Sequence, residues 1–289
     1  MNYRHQFHAG NFADVVKHVV LGALLARMKQ KERPFLYLDT HAGRGRYDLM
    51  VAGRGDSLPR QPEWPLGLGR IEKADPLPPL VAQYLEAVQV LDRAAGNLQP
   101  EIRYYPGSPR LARYWMRSQD RLALCELQPA ECAALTEEMR LEKGVRVHPM
   151  DGYTALKAML PPLEKRGLVL IDPPFESPAE WSDLVQAMSD GLRRFPSGVF
   201  AIWYPLTERA RIERFVDSLL ALSLPPTWRA EVAVAGEGGL LKMRGCGLVV
   251  INPPWQLDDE LIPVLDFLAR VLAQDSSAEG RLDWLVPEA

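Results

Sequence analysis

The sequence predicts an α/β protein of the Rossmann-like kind. Its core is a mostly parallel, seven-stranded sheet with an antiparallel hairpin at one edge and a small helical subdomain inserted on the binding face. Three observations predict it. Short apolar runs alternate with helical stretches, the pattern of a doubly wound parallel sheet. Four of those runs end in an acidic residue or a Gly-rich turn, at Asp39, Glu126, Asp151 and Asp172. The first two of these ends are 87 positions apart, although a βαβ unit needs only about 30 residues.

The 289 residues suit one large domain, here taken as 1–289. With 47% hydrophobic and 25% charged residues, the composition is that of an ordinary globular chain. The net charge of -3 gives no global attraction to a polyanion, so any nucleic-acid contact has to be local. Cys125, Cys132 and Cys246 form no CxxC pair and no disulfide framework. The basic residues Arg27, Lys29 and Lys31 come after the apolar run Val19–Ala26, and no small-residue cleavage site follows it. A cytoplasmic protein with no membrane partner is expected.

Along the chain, Asn11 is placed to cap a helix, with Asp14 three residues on as a weak capping box. Phe12, Val15, Val16, Val19, Val20, Ala23 and Leu24 then recur at helical spacing, predicting an amphipathic helix to about Lys29. Residues 1–33 carry six Lys/Arg against two acids, and four of the chain's five histidines are His5, His8, His18 and His41. Their spacing fits no helix-face metal pair, and none is expected to hold a metal. Strands are expected at 35–38, 122–125, 145–147, 168–171 and 199–204, with helices over 129–141, 179–194 and 207–222. Trp228–Val234 and Leu248–Ile251 lack a helix between them and predict the edge hairpin. Residues 48–100 form the insertion, with a helical run from Leu80 to Leu91. The polar tail after Ala273 is expected to fray.

Ligands of an open parallel sheet lie beyond the carboxyl ends of its strands. There, Gly43 and Gly45 let backbone approach a ligand where a Cβ would clash. Glu126 is placed to accept two ribose hydroxyls, and Asp151 to read an adenine amine. This layout fits an adenosine-containing cofactor, either NAD or S-adenosylmethionine. The turn lacks the third glycine of G-x-G-x-x-G, which favours the cofactor without a pyrophosphate.

Asp172-Pro173-Pro174-Phe175 then selects a chemistry. Two prolines stiffen the loop and remove its N–H groups, so it presents acceptors. An adenine N6 amine is a poor nucleophile because its lone pair is delocalised into the ring. The Asp172 carboxylate and the Pro173 carbonyl can hold its two hydrogens, Asp172 can take the departing proton, and Phe175 offers a stacking face. Asn252-Pro253-Pro254-Trp255 has the same form but follows a strand expected to be antiparallel, so it should sit at the opposite end of the sheet.

Over nearly its whole length the chain resembles the RlmJ family of bacterial 23S ribosomal RNA adenine-N6 methyltransferases. The resemblance is carried by Tyr3-Arg4-His5-Gln6-Phe7-His8-Ala9-Gly10-Asn11, Ala13-Asp14-Val15, Lys17-His18 and Phe35-Leu36-Tyr37-Leu38-Asp39-Thr40-His41-Ala42-Gly43. It implies a class I methyltransferase fold with S-adenosylmethionine as cofactor, S-adenosylhomocysteine as product and no metal. It implies methylation of one adenine, number 2030, with Asp172 catalytic. Lys17, His18, His41, Ser108, Glu126, Asp151 and Gly152 would be cofactor contacts, with Tyr3 near the substrate base and Arg4 and His5 beside it. The loop ends in Phe175 where tyrosine is common, which puts only a hydroxyl-dependent role in doubt. The expected partner is 23S RNA, naked or in an early assembly particle, bound by a monomer. Methylation of DNA adenine or of a protein glutamine uses the same Pro-Pro loop, a non-catalytic RNA-binding protein is the rival from another class, and a NAD dehydrogenase is more distant.

Overall fold

A computed structural model describes residues 5–50, 61–237 and 241–288. In chain order its elements are a 3₁₀ turn at His5–Phe7, α1 (Phe12–Met28), β1 (Leu36–Asp39), β2 (Arg46–Asp48) and a second 3₁₀ turn at Trp64–Leu66. Next come α2 (Leu68–Ile71), α3 (Pro79–Ala94), β3 (Tyr104–Pro106), α4 (Ser108–Trp115), β4 (Arg121–Cys125), α5 (Pro129–Met139) and β5 (Val145–His148). The chain continues through α6 (Gly152–Met159), β6 (Gly167–Ile171), α7 (Glu180–Arg194), β7 (Val199–Leu206) and α8 (Arg209–Leu220). It ends with β8 (Thr227–Ala233), β9 (Gly245–Ile251), α9 (Leu257–Leu272) and β10 (Glu279–Val286).

Eight of these strands form one sheet in the order β10-β8-β9-β7-β6-β1-β4-β5. The five strands from β7 to β5 run parallel. Strands β1 and β6 are buried at every position, as expected of parallel strands covered on both faces. From β1 the chain winds outward through β4 and β5, then returns to β6 on the other flank, so a topological switch lies at the carboxyl end of β1. The 87-residue gap does separate neighbours, because Leu36–Asp39 pairs in register with Arg121–Leu124.

Helix α1 begins where the capping residues place it. Asn11 accepts the Asp14 N–H at 2.9 Å, and Asp14 accepts the N–H of Gly10 at 3.0 Å. It runs to Met28, close to the predicted end at about Lys29, but its polar side is not left to solvent. Asp14, Lys17 and His18, the polar face of the predicted pattern, are buried with the rest. Their face is turned toward the strand ends and the inserted segment, where each finds a polar partner.

The sheet has eight strands rather than seven, and the tail is its edge. Strand β10 pairs antiparallel with β8, so the β8–β9 hairpin is interior and β9 lies between β8 and β7. Alternation in the tail explains it: Leu282 and Trp284 pack on one side of the strand, a register shift after Trp284 turns Val286 to the other, and the Trp284 indole donates to Asp258 of α9 at 2.9 Å. Strand β9 is antiparallel to β7, with Ile251 opposite Phe200, so Asn252-Pro253-Pro254-Trp255 lies at the amino end of the parallel strands, as strand direction predicts. The Asn252 amide donates to the carbonyls of Pro196 and Gly198, each at 2.8 Å, and closes that end of the sheet.

The stretch between β1 and β4 holds a two-stranded ribbon of β2 and β3 with α2 and α3 between its strands. Helix α3 covers the predicted run from Leu80 to Leu91. This stretch is sewn to the N-terminal segment. The Leu68 N–H donates to the Gly10 carbonyl at 2.9 Å, and a Cβ at Gly67 would overlap the backbone of Gly10 and Asn11. No helix among the described residues is long and apolar enough to cross a membrane.

Gly280 of β10 lies so close to the backbone of Leu265 and Asp266 that a Cβ would overlap both. Gly280→Ala should therefore push the last strand off α9, at a cost of about 1–3 kcal/mol. A lower urea midpoint with faster proteolysis after Ala273 is expected, and an unchanged variant would mean that the tail is not docked this way.

Candidate active site

The carboxyl ends of β1, β4, β5 and β6 lie side by side and converge on one cleft wall. At the end of β1, Asp39 is fully buried and its Oδ2 accepts the Tyr37 hydroxyl at 2.8 Å and the Ser108 hydroxyl at 2.6 Å. Its Oδ1 accepts the His41 N–H at 3.3 Å. Burial drives the Asp39 carboxyl up to about 6 even though the Ser108 and Tyr37 hydrogen bonds oppose the rise; Asp172 adds to it. Asp39 thus braces the His41 turn and the start of α4 from beneath.

The Thr40 hydroxyl lies between the Leu170 carbonyl at 3.1 Å and His41 Nδ1 at 2.7 Å and holds the ring in place. With its proton on the carbonyl, His41 Nδ1 donates to Thr40 and Nε2 carries the lone pair. Burial lowers the His41 pKa to about 4, against the opposing pull of Asp172 and Asp151, so the ring is neutral at pH 7. The ring meets Tyr153 edge-on at 5.4 Å.

Gly43 has φ +61°, and a Cβ there would overlap the Tyr47 hydroxyl. This left-handed turn lets its N–H donate to Glu126 Oε2 at 2.9 Å, while Glu126 Oε1 accepts from Gln128 N–H at 2.8 Å. Burial raises the Glu126 pKa. Gly45, at φ +81°, passes its carbonyl to the Gly107 N–H at 2.9 Å, which locks the Gly107-Ser108-Pro109 turn beside it. Arg44 between them is held by Glu131 in a two-pronged pair at 2.8 and 2.9 Å and donates to Gln6 at 3.2 Å. At the end of β5, Asp151 caps α6, its Oδ2 accepting the N–H and the hydroxyl of Thr154 at 2.7 and 2.8 Å. Gly152 follows it because a Cβ would overlap the Thr40 carbonyl.

At the end of β6, Asp172 is reached by a lysine from α1. Lys17 Nζ lies 2.6 Å from Asp172 Oδ2 and 2.8 Å from Asp14 Oδ1, with its side chain only 6% exposed. Burial alone would lower the ammonium's pKa, but Asp14 and Asp172 outweigh it and hold Lys17 well above the ordinary lysine value. Pro173 is buried and Pro174 half-buried. Phe175 adopts φ +49°, a conformation that costs a bulky side chain about 1–2 kcal/mol. Its ring rests on Trp181 at 4.3 Å and near Trp203 at 6.0 Å, while the residue stays partly exposed.

Lys17 and His18 diverge because neighbours on a helix point about 100° apart. His18 is turned to the insertion, its Nδ1 2.8 Å from the Tyr105 hydroxyl, which meets that of Tyr84 at 3.0 Å. The structure therefore brings Lys17, His41, Gly43, Ser108, Glu126, Asp151, Gly152 and Asp172 to neighbouring strand ends, with His18 one helix face away. Tyr3 and Arg4 lie outside the described residues, and of His5 only the backbone of the first turn is described. Sequence reasoning missed the bracing partners Tyr37, Thr40 and Tyr105. It read Asp14 only as a cap. It also missed Glu63, which accepts from Asn11 at 2.9 Å and pairs with His8 at 2.9 Å.

Because His41 titrates near 6.5 unfolded and about 4 folded, the unfolded chain binds more protons between those values. Stability therefore falls as pH drops from 6.5 toward 4. His41→Gln should remove about 2–3 kcal/mol of that fall, allowing for partial exposure. Urea titrations of both proteins from pH 7 to pH 4 check this; parallel curves would refute a neutral, buried His41.

A family model described as "Ribosomal RNA large subunit methyltransferase D, RlmJ" matches residues 32–286. The ribosomal RNA large subunit methyltransferase J of Escherichia coli (strain K12) is 39% identical to this chain over 288 residues, covering 100% of both. The methyltransferase J of Haemophilus influenzae is 38% identical over 288 residues, again covering 100% of both. Among solved structures, protein LPL1258 from Legionella pneumophila superposes with a TM-score of 0.84 at 36% identity, covering 96% of this chain and 98% of that one.

Proposed function

The chain belongs to the RlmJ family of ribosomal RNA large subunit methyltransferases, and we propose that it methylates the N6 amine of a single adenine, position 2030 of 23S ribosomal RNA, through Asp172. The observation that carries this reading is the acceptor loop at the end of β6, beside a row of strand-end carboxylates that suits an adenosine cofactor.

S-adenosylmethionine fits the donor set: Glu126 and Asp151 put carboxylates after β4 and β5, where a dinucleotide would need a phosphate cradle. When bound, it supplies an electrophilic methyl group on a sulfonium. Glu126 keeps lone pairs for ribose hydroxyls after its two backbone bonds, and Asp151 offers Oδ1 to an adenine amine. The neutral His41 presents an acceptor at Nε2. Lys17, His18, Gly45 and Ser108 complete the cofactor set, each already fixed by a protein partner.

The loop's chemistry follows from which acceptors remain. Lys17 engages Asp172 Oδ2, so Oδ1 is the oxygen left for one N6 hydrogen, and the Pro173 carbonyl takes the other. Drawing both hydrogens out of the ring plane localises the nitrogen lone pair toward the methyl group. A flipped adenine stacks on the part of Phe175 that Trp181 leaves open, a contact worth roughly 1–3 kcal/mol. The family resemblance assigns Tyr3, Arg4 and His5 to that base, and just after them Gln6 is held by Arg44 and His8 by Glu63. The insertion at 48–100 acts as a helical subdomain that carries this segment. The enzyme works in the cytoplasm as a monomer on naked RNA or an early assembly particle.

The test is transfer from labelled S-adenosylmethionine to unmodified 23S RNA, with duplex DNA and a glutamine-bearing protein beside it. Label should appear in N6-methyladenosine of RNA for the wild type, and Asp172→Ala should lose at least about a hundredfold in rate while still binding cofactor. Label in DNA or protein instead would move the substrate; cofactor binding with no acceptor at all would favour a non-catalytic protein. Separately, Tyr3→Ala should leave the cofactor dissociation constant within about twofold and lower the transfer rate at least about tenfold. A loss of cofactor binding would remove Tyr3 from the substrate side.

A further inference from the structure

We propose that Asp14 is a positioning residue for methyl transfer, acting through Lys17 on Asp172; the proposal rests on the function assigned to that site. Asp14 is 2% exposed and lies in the first turn of α1. Its two oxygens have separate duties. Oδ2 accepts the Gly10 N–H at 3.0 Å, and Oδ1 holds Lys17 Nζ at 2.8 Å. That ammonium in turn sits 2.6 Å from Asp172 Oδ2. A helix cap alone needs only the first of these bonds, and Asn or Ser supplies it as well as Asp does. The second bond needs a charge and faces the catalytic carboxylate.

Lys17 carries a long side chain with free rotation about four bonds, and one ion pair leaves it able to swing. Two carboxylates on opposite sides of one ammonium fix both the nitrogen and the bond vector to Asp172. Asp14 therefore decides which oxygen of Asp172 is occupied and so which one is presented to the N6 amine. The bond from Gly10 ties the same carboxylate to the end of the N-terminal segment, and Gly10 is gripped on its other side by Leu68 of the insertion. One side chain joins that segment, the insertion and the catalytic loop.

The experiment is a kinetic double-mutant cycle on the full chain at saturating 23S RNA and varied S-adenosylmethionine: wild type, Asp14→Asn, Lys17→Gln and both together. Asp14→Asn keeps the cap and should lower kcat about tenfold with KM for the cofactor within about twofold. Lys17→Gln should lower kcat further, and the double variant should be no slower than Lys17→Gln alone, within about twofold. A helix-stability role predicts instead that the two losses multiply, and that result overturns the proposal, as does a loss confined to cofactor KM. Calorimetric cofactor binding checks that Asp14→Asn is folded; if it is not, Asp14→Ser takes its place under the same requirement, and failure of both to bind cofactor assigns Asp14 to folding and overturns the proposal. If the wild type labels no RNA, the assigned function has failed; multiplied losses with an active wild type defeat Asp14 alone.

Discussion

A lysine ammonium with 6% side-chain exposure cannot stand unpaired, because desolvating an isolated charge costs several kcal/mol even after relaxation. Lys17 meets that constraint by joining two carboxylates 158 positions apart, Asp14 and Asp172, and much of the molecule's arrangement follows from it. Helix α1 has to pass close under the ends of β1 and β6. Its polar face has to turn inward, so its outer face is covered by α3, α4 and α9. The N-terminal segment before it is then carried to the mouth of the cleft. Removing one partner of such a cluster strands the rest, and the site is correspondingly intolerant of partial change.

Around that cluster three carboxylates, Asp14, Asp172 and Asp39, stand near the single ammonium of Lys17, and burial first, with Asp172 adding to it, holds the Asp39 carboxyl up near 6. The two hydroxyls on Asp39 moderate this but do not cancel it. A cleft with surplus negative potential suits a cationic ligand such as a sulfonium. The same surplus favours a neutral base over a phosphate inside the pocket. The net charge of -3 likewise gives a polyanion no global attraction to the chain.

Much of this was legible from residues alone, for a stateable reason. Strands of a parallel sheet are continuous apolar runs, so their ends are sharp in sequence, and Asp39, Glu126, Asp151 and Asp172 could be placed on one edge before any coordinates. The insertion was legible as an excess of length between Asp39 and Glu126. What stayed hidden was whatever depends on distant partners. Lys17 and Asp172 are 155 positions apart, and no local pattern joins them. Asp14 looked like a capping residue because it is one; a cap and an ion-pair anchor leave the same trace at i+3. The periodicity of α1 marked a polar face at Asp14, Lys17 and His18 but not the partners that satisfy it, since periodicity records polarity alone. In the tail, alternation at Leu282 and Trp284 was present but outweighed by the polar residues before it.

The two Pro-Pro loops make the division of labour plain. Locally they are nearly the same: an apolar strand, a short polar residue, two prolines and an aromatic ring. Strand direction separates them, since β6 runs parallel to β1 and β9 runs antiparallel to β7. Side-chain chemistry then matches each loop to its end of the sheet. At the amino end of the parallel strands, carbonyls of Pro196 and Gly198 need donors, and the Asn252 amide supplies both from φ +53°. An aspartate there would face two carbonyl oxygens with no proton to give. At the carboxyl end, Lys17 needs an anion, and an asparagine at 172 would point either a weaker acceptor or an N–H at the ammonium. The difference between Asn252 and Asp172 is therefore dictated twice, once by what each end of the sheet must satisfy and once by whether a lysine stands opposite. Only the Asp172 loop presents a carboxylate, and Lys17 engages its Oδ2 rather than its Oδ1.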